Sequence, residues 1–170
     1  GDTRIIEPLL RAFPLGNADD TEQDPGWFWN TEMPQILARL GTAAIEPLWA
    51  FRDTVEEDDH ARGAACKALA YMTVYAPEQR DAIVAGLMQR FKEEQDQTQV
   101  TYLLSVLGDI GIADMYQEAM AGYRAGRFNT DILPASAARQ LLLGKGTETL
   151  SCVNHSLIER YDLHPLFALE

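Results

Sequence analysis

Apolar residues recur every three or four positions along most of the chain, the spacing that places them on one face of an α-helix. The clearest stripes are Ala65, Leu69, Met72 and Ala76, and then Ile83, Val84, Leu87, Met88 and Phe91. Later stripes are Ala113, Tyr116, Met120 and Tyr123, and then Leu150, Val153, Leu157 and Tyr161. No segment alternates convincingly between apolar and polar residues, as a half-buried β-strand would. The pattern predicts a chain of short amphipathic helices.

Glycines are predicted to end three of these helices. Gly41, Gly108 and Gly144 each follow a leucine at the end of an apolar stripe. Glycine adopts the left-handed backbone conformation that commonly ends a helix, and it does so at little steric cost. Short turns after each glycine would make successive helices antiparallel neighbours. We therefore expect helical hairpins joined at these three positions.

Two segments of the chain nearly copy each other. Residues 6–9 and 45–48 both read Ile-Glu-Pro-Leu, and each segment is followed by an aromatic residue, Phe13 or Phe51. Together with the glycine positions, this recurrence indicates a unit of about 34 residues, close to the length of known helix-pair repeats. A single helical hairpin cannot bury its apolar face alone, so hairpins of this kind stack in a row. The sequence predicts an all-α solenoid of about four hairpins plus a leading helix.

The chain resembles the HEAT-repeat proteins, in particular bacterial HEAT-like proteins. The resemblance is carried by Leu40–Leu48, which reads Leu-Gly-Thr-Ala-Ala-Ile-Glu-Pro-Leu, and by Ala61–Leu69, which reads Ala-Arg-Gly-Ala-Ala-Cys-Lys-Ala-Leu. It implies a right-handed α–α superhelix in which the second helix of each hairpin lines a concave face. It also implies a protein-binding or scaffolding role.

The resemblance suggests one HEAT-like domain over residues 1–170, which we expect to be a piece of a longer chain. The second helix of a truncated repeat would occupy residues 1–13, and a long loop would follow at 14–29. The predicted hairpins are 30–55, 58–94, 96–125 and 132–161.

The charge of the chain disfavours two classes of partner. With 14 basic and 26 acidic side chains, the net charge is −12, whereas nucleic acids and anionic membranes are bound by clustered lysine and arginine. No apolar run approaches the roughly 20 residues of a membrane-spanning helix. The two cysteines, Cys66 and Cys152, are too few for a disulfide scaffold and favour a reducing compartment, so we expect a cytoplasmic protein.

The favoured hypothesis is a non-enzymatic module that presents a curved helical surface to another protein or peptide. The candidate contact residues are positions of the second helices that lie off the apolar stripes. They are Trp49, Asp53, Asp81, Gln89, Gln117 and Arg124.

No familiar catalytic motif occurs in the sequence. A Gly-x-Ser-x-Gly elbow, a phosphate-binding Gly-x-x-x-x-Gly-Lys-Ser/Thr loop and a His-Glu-x-x-His pair are all missing, so no catalytic residue is assigned and no cofactor is expected. Some HEAT-like proteins attach or isomerise bilin chromophores, and a bilin-lyase-like enzyme is therefore an alternative that the resemblance implies. Others excise alkylated DNA bases, but the net charge of −12 disfavours DNA capture.

Two residue groups suggest a small-ligand or metal binder as a further alternative. Trp27 and Trp29 could form the floor of a ligand groove, but the favoured interpretation is that with Phe28 they cover the long loop and pack at the start of the next helix. Cys152, His155 and His164 form the only cysteine and histidine grouping, and Cys152 and His155 could share a helix face. A metal site needs more ligands than this group offers, so we expect no bound metal.

Overall fold

The computed structural model describes residues 3–12, 32–54, 59–144 and 150. Within these residues every regular element is helical and no strand occurs, which confirms the all-α prediction for this part of the chain. The α-helices, numbered here in chain order, are α1 (Ile6–Ala12), α2 (Met33–Arg39), α3 (Ile45–Thr54), α4 (Asp59–Tyr75), α5 (Arg80–Glu93), α6 (Gln97–Ile110), α7 (Tyr116–Arg124) and α8 (Ala135–Leu143).

Helices α1, α3, α5 and α7, which the sequence predicts as the second helices of their repeats, all begin in the same way. A three-residue 3₁₀ turn leads directly into α1, α3, α5 and α7, at Thr3–Ile5, Thr42–Ala44, Pro77–Gln79 and Ala113–Met115. The two Ile-Glu-Pro-Leu segments occupy equivalent places, because Ile6 and Ile45 are the first residues of α1 and α3. Their prolines then fall in the first helical turn, where a missing backbone N–H removes no helical hydrogen bond. The sequence repeat is therefore also a repeat of local structure.

The helices pack in the order in which they follow one another in the chain. Helices α2, α4, α6 and α8, which the sequence predicts as the first helices of their hairpins, form one row. In this row α2 packs on α4, α4 on α6 and α6 on α8. The second helices α3, α5 and α7 each pack on the first helix that follows them, and α1 packs on α3. Every extensive helix–helix contact in the described residues joins helices one or two places apart. One continuous apolar core runs through these contacts, from Ile6 to Leu150.

Helix α4 lies at the centre of this packing, in contact with α2, α3, α5 and α6. Most of its residues are buried, and many of them are alanine or glycine. Small side chains allow neighbouring helices to approach closely on several sides. The predicted stripe of Ala65, Leu69, Met72 and Ala76 is buried, and so are Ile83, Leu87 and Phe91 in α5. These two stripes were correctly predicted as core.

One of the three predicted glycine stops is wrong, and a second, Gly144, ends its helix without the expected left-handed backbone conformation. Gly41 has the expected positive φ, 85°, but Gly108 lies inside α6, which continues to Ile110 and ends at Gly111 with φ 84°. Gly144 follows the last residue of α8 with φ −76°, outside the left-handed region. Gly108 is needed for packing instead, since a Cβ placed there would lie 2.9 Å from the Cβ of Leu141 in α8. A glycine after an apolar stripe therefore marks a close helix crossing here.

The predicted stripe of α7 is confirmed in part, since Tyr116, Met120 and Tyr123 are half-buried and pack against the apolar core. Ala113 is exposed, and the fully buried positions are Met115, in the preceding 3₁₀ turn, and Ala119. The loop after α7 folds back so that Phe128 packs against the Gly122 backbone, with its ring centroid 4.7 Å from that of Tyr123.

Several predictions fall outside the described residues. They include the whole loop at 14–29, the end of the hairpin at 132–161 and its stripe Val153, Leu157 and Tyr161. Leu150 is described, and it is buried.

Replacing Gly108 with alanine tests the α6–α8 crossing. In an open helix this change raises stability by about 1 kcal/mol. Here the added methyl group meets the Leu141 Cβ, which cannot move without its backbone, so we expect a loss of about 1–2 kcal/mol in the free energy of unfolding in urea. Ala85→Gly, at an exposed position of α5, calibrates helix propensity in the same protein. A more stable Gly108→Ala protein would contradict the close crossing.

Candidate interaction surface

The six predicted contact residues lie on three second helices. Trp49 and Asp53 are on α3, Asp81 and Gln89 on α5, and Gln117 and Arg124 on α7. All of them are exposed except Trp49, which is half-buried. Helical residues that are two positions apart point in directions about 200° apart around the helix axis. Asp81 and Gln89 are each two positions from a buried residue, so they face away from the core. Gln117 has the same relation to buried Ala119.

Trp49 and Asp53 form a clamp with α5. The guanidinium carbon of Arg90 lies 4.0 Å from the centroid of the Trp49 ring, and its Nε donates to the Asp53 carboxylate at 3.0 Å. A second guanidinium nitrogen of Arg90 bonds the other carboxylate oxygen. Gly86 admits the indole, since a Cβ at that position would lie 2.9 Å from the ring. These two predicted contact residues therefore tie α3 to α5.

An ionic network continues inward from this clamp. Arg52 is only 6% exposed and donates to Asp53 at 3.0 Å and to Glu94 at 2.7 Å. Arg62 donates to the same Glu94 oxygen at 3.3 Å and to the backbone carbonyl of Arg52 at 3.2 Å. Glu94 is thus shared by two guanidinium groups from α3 and α4. The network joins the end of α3, the start of α4 and the residue that follows α5.

Asp53 carries the electrostatic signature of this network. The hydrogen bond from Arg90 is the largest influence that holds the pKa of the Asp53 carboxyl below its usual value. The bond from Arg52 and the positive charges of both arginines act in the same direction, and partial burial opposes them. The ionised form is favoured because both donors are cationic.

Cys66 lies beneath the network and is not a reactive thiol. Burial raises its pKa to about 11, and the nearby positive charge of Arg52 offsets only part of this effect. A thiol with such a pKa stays protonated near neutral pH, and the thiolate is the nucleophilic form. Cys66 is therefore a core residue.

The other four predicted contact residues face solvent and make few bonds to the rest of the protein. Among the described residues, Asp81, Gln117 and Arg124 make no hydrogen bond or ion pair, and Gln89 donates only to its neighbour Glu93 at 3.0 Å. They provide one acid, one base and two amides along the outer side of α5 and α7. Such a surface can form polar contacts of either sign.

A groove that the sequence did not reveal lies between the first helices α4 and α6. Its volume is about 290 Å³, and it is lined by His60, Gly63, Ala64 and Lys67 of α4, by Tyr102, Ser105, Val106 and Asp109 of α6, and by Ile132. The residues have helical same-face spacing on each helix, which is the signal that could have found them. Nothing in the sequence showed that these two faces meet.

A side-chain contact lies at one end of the groove. The Tyr102 hydroxyl lies 2.8 Å from Nδ1 of His60, within hydrogen-bond distance. Gly63 permits the approach of the Tyr102 ring, because a Cβ there would lie 3.0 Å from it. Two hydrogen bonds hold the loop that carries Ile132. The backbone N–H of Asn129 donates to the Thr101 hydroxyl, and the Tyr123 hydroxyl donates to the backbone carbonyl of Leu133.

The other predicted ligand residues cannot be placed. Trp27, Trp29, Cys152, His155 and His164 all lie outside the described residues. Within the described ranges, no group of three or more histidine, cysteine, aspartate or glutamate side chains is arranged to hold a metal ion. No α-helix in the same ranges is both long enough and apolar enough to cross a membrane.

Comparisons of this chain with protein-family models, with curated proteins and with solved structures found no match. Its function is therefore inferred from its own residues and their geometry.

Replacing Glu94 with glutamine tests the ionic network. The change leaves Arg52 and Arg62 close together without their shared anion, and breaking a buried ion pair from one side costs about 3–5 kcal/mol. We expect a loss of about 2–3 kcal/mol in urea unfolding, because Glu94 keeps some contact with solvent. Glu93→Gln, at the exposed neighbouring position, is the matched control and should change stability by under about 0.5 kcal/mol. Equal effects of the two changes would exclude a structural role for the network.

The lowered pKa of the Asp53 carboxyl predicts how the free energy of unfolding depends on pH. A carboxyl whose pKa is lowered by folding stabilises the protein above its unfolded pKa, about 3.9, and this contribution disappears as the pH falls through the folded value. The stability difference between the native protein and Asp53→Asn should be constant from about pH 5 to 7 and shrink below about pH 4. Urea unfolding across this range measures it. A difference that does not vary with pH would show that Asp53 acts without its charge.

Proposed function

We propose that the protein is a non-enzymatic interaction module of the HEAT-like kind, with stacked hairpins that form a right-handed α–α superhelix. Two features support the stack. In the described part of the chain, every extensive contact joins helices one or two places apart, and a 3₁₀ turn precedes each of α1, α3, α5 and α7. In a stack of this kind the second helices form a continuous side of the molecule. We further propose that this side, on α5 and α7, contacts another protein or peptide in the cytoplasm.

The observation that carries the proposal is the set of outward polar side chains on α5 and α7. Asp81, Gln117 and Arg124 point away from the core and have no internal bonds within the described residues. Unengaged donors and acceptors at fixed positions on rigid helices suit a polar, reversible contact. The mixture of charges favours a protein partner over a polyanion, because phosphate contacts would require clustered arginine and lysine.

The clamp between α3 and α5 explains how such a surface could bind without rearrangement. Arg90 holds both Trp49 and Asp53, and Gly86 fits against the indole, so the spacing of these two helices is set before a partner arrives. Contact residues that are already ordered lose little conformational entropy on binding. Trp49 and Asp53 thus act as supports for the surface, next to the residues that touch the partner.

The alternatives have less support. A bilin-lyase-like enzyme rests on the family resemblance alone, and fold analogy does not establish an activity. The metal and tryptophan sites concern residues that lie outside the described part of the chain.

A capture experiment with charge-swapped variants tests the interaction surface. Asp81→Lys combined with Arg124→Glu reverses both charges of the surface and keeps the net charge. Asp131→Lys combined with Arg139→Glu makes the same swap at exposed positions outside the second helices and serves as the control. Native, surface-variant and control proteins are immobilised, exposed to native lysate and compared by quantitative mass spectrometry.

The proposal predicts at least one protein retained by the native and control baits but reduced at least about tenfold on the surface variant, the effect of losing roughly 1.4 kcal/mol of binding energy. Matching thermal unfolding curves for the three baits exclude a folding defect. Identical captured proteins on all three baits would rule out this surface as the binding site.

A further inference from the structure

The groove between α4 and α6 lies on the first helices, away from the proposed interaction surface on α5 and α7. We propose that this groove is a binding site for a small aliphatic carboxylate. The inference goes beyond the interaction module and does not depend on it. It rests on the shape of the groove and on two polar side chains in it that make no hydrogen bond or ion pair within the described residues.

The polar groups of the groove divide into engaged and unengaged ones. The Tyr102 hydroxyl and His60 Nδ1 lie within hydrogen-bond distance of each other at one end. Lys67 and Ser105 also line the groove, and neither makes a hydrogen bond or ion pair with any described residue. Lys67 lies one helical turn beyond Gly63, and Ser105 nearly one turn beyond Tyr102. Since Gly63 contacts Tyr102, the two unengaged side chains face the same section of the groove.

These two side chains define the chemistry of the ligand. A lysine ammonium offers three N–H donors and a positive charge, and a serine hydroxyl offers one more donor. Charge-assisted hydrogen bonds to an anionic oxygen are the strongest that such groups form. Asp109 borders the groove one turn beyond Ser105, so the part of the groove nearer Tyr102 is the one without an acidic lining residue. A carboxylate is therefore placed between Lys67 and Ser105, on the side nearer Tyr102.

The rest of the groove accommodates an aliphatic body of limited size. Ala64 and Val106 provide buried apolar surface, and Ile132 covers them from the loop after α7. The volume of about 290 Å³ is at the lower limit for ligand pockets. A pocket of this volume holds a small molecule but not an extended peptide segment. These limits favour a free small molecule over a segment of a partner protein.

The test adds 4-methylpentanoate to the native protein at pH 7. Binding is measured by changes in the ¹H–¹⁵N chemical shifts of the protein. An eight-atom ligand with one charge is expected to bind with a dissociation constant in about the millimolar range. The shifts should concentrate at Ala64, Lys67, Ser105 and Val106. The uncharged analogue 4-methylpentanamide should bind at least about tenfold more weakly, because it lacks the charge-assisted bonds.

Variants separate a specific site from weak apolar binding. Lys67→Met keeps most of the aliphatic stem and should weaken binding of the acid by about tenfold or more, while Ser105→Ala should weaken it by about threefold. Lys92→Met, which removes an exposed lysine of α5, is the matched control and should bind like the native protein. Thermal unfolding of each variant establishes that it is folded.

Three results would overturn the proposal. The first is equal binding of the acid and the amide, and the second is equal weakening by Lys67→Met and Lys92→Met. The third concerns the source of the carboxylate: an acetylated pentapeptide with a C-terminal leucine carboxylate that binds at least tenfold more tightly than 4-methylpentanoate would make a peptide terminus the ligand. None of these results bears on the capture experiment, so the two proposals fail separately.

Discussion

The close packing of α2, α4, α6 and α8 in one row is the constraint on which the rest of the structure depends. It requires small residues where backbones approach, and the chain supplies them through the alanines of α4 and through Gly63 and Gly108. Dense packing of this kind leaves little freedom to change the distance between helices. The second helices and the groove take their positions from this row.

The polar interactions of the protein act at the margins of that packing. The Arg52–Glu94–Arg62 network lies at one end of α3, α4 and α5, and it satisfies charges that burial would otherwise penalise. Arg90 extends the network to the Trp49 ring, so one side chain combines an ion pair with an aromatic contact. These links hold α3 and α5 in register without adding to the apolar core.

The two candidate sites differ in the way the fold creates them. The surface on α5 and α7 arises because each second helix buries one face only and leaves the opposite one in water. The groove arises because Tyr102 and Gly63 bring α4 and α6 together at one point, whereas Lys67 and Ser105 leave space one turn later. The first could serve an extended partner, and the second a compact ligand.

Apolar spacing alone was enough to predict the all-helical structure of the described residues and the buried faces of α4 and α5, because a helix buries residues at intervals that are visible in the sequence. The positions of Asp81, Gln89, Gln117 and Arg124 on the outer side of second helices followed from the same periodicity. The local sequence could not show whether Gly108 ends a helix or packs against a neighbouring helix, because glycines in these two roles look alike in sequence. Only the tertiary structure decided that Trp49 and Asp53 are held by Arg90, and that His60, Lys67, Tyr102 and Ser105 share a groove. Those residues are brought together by contacts between different helices, and periodicity within one helix contains no information about which face of another helix it will meet.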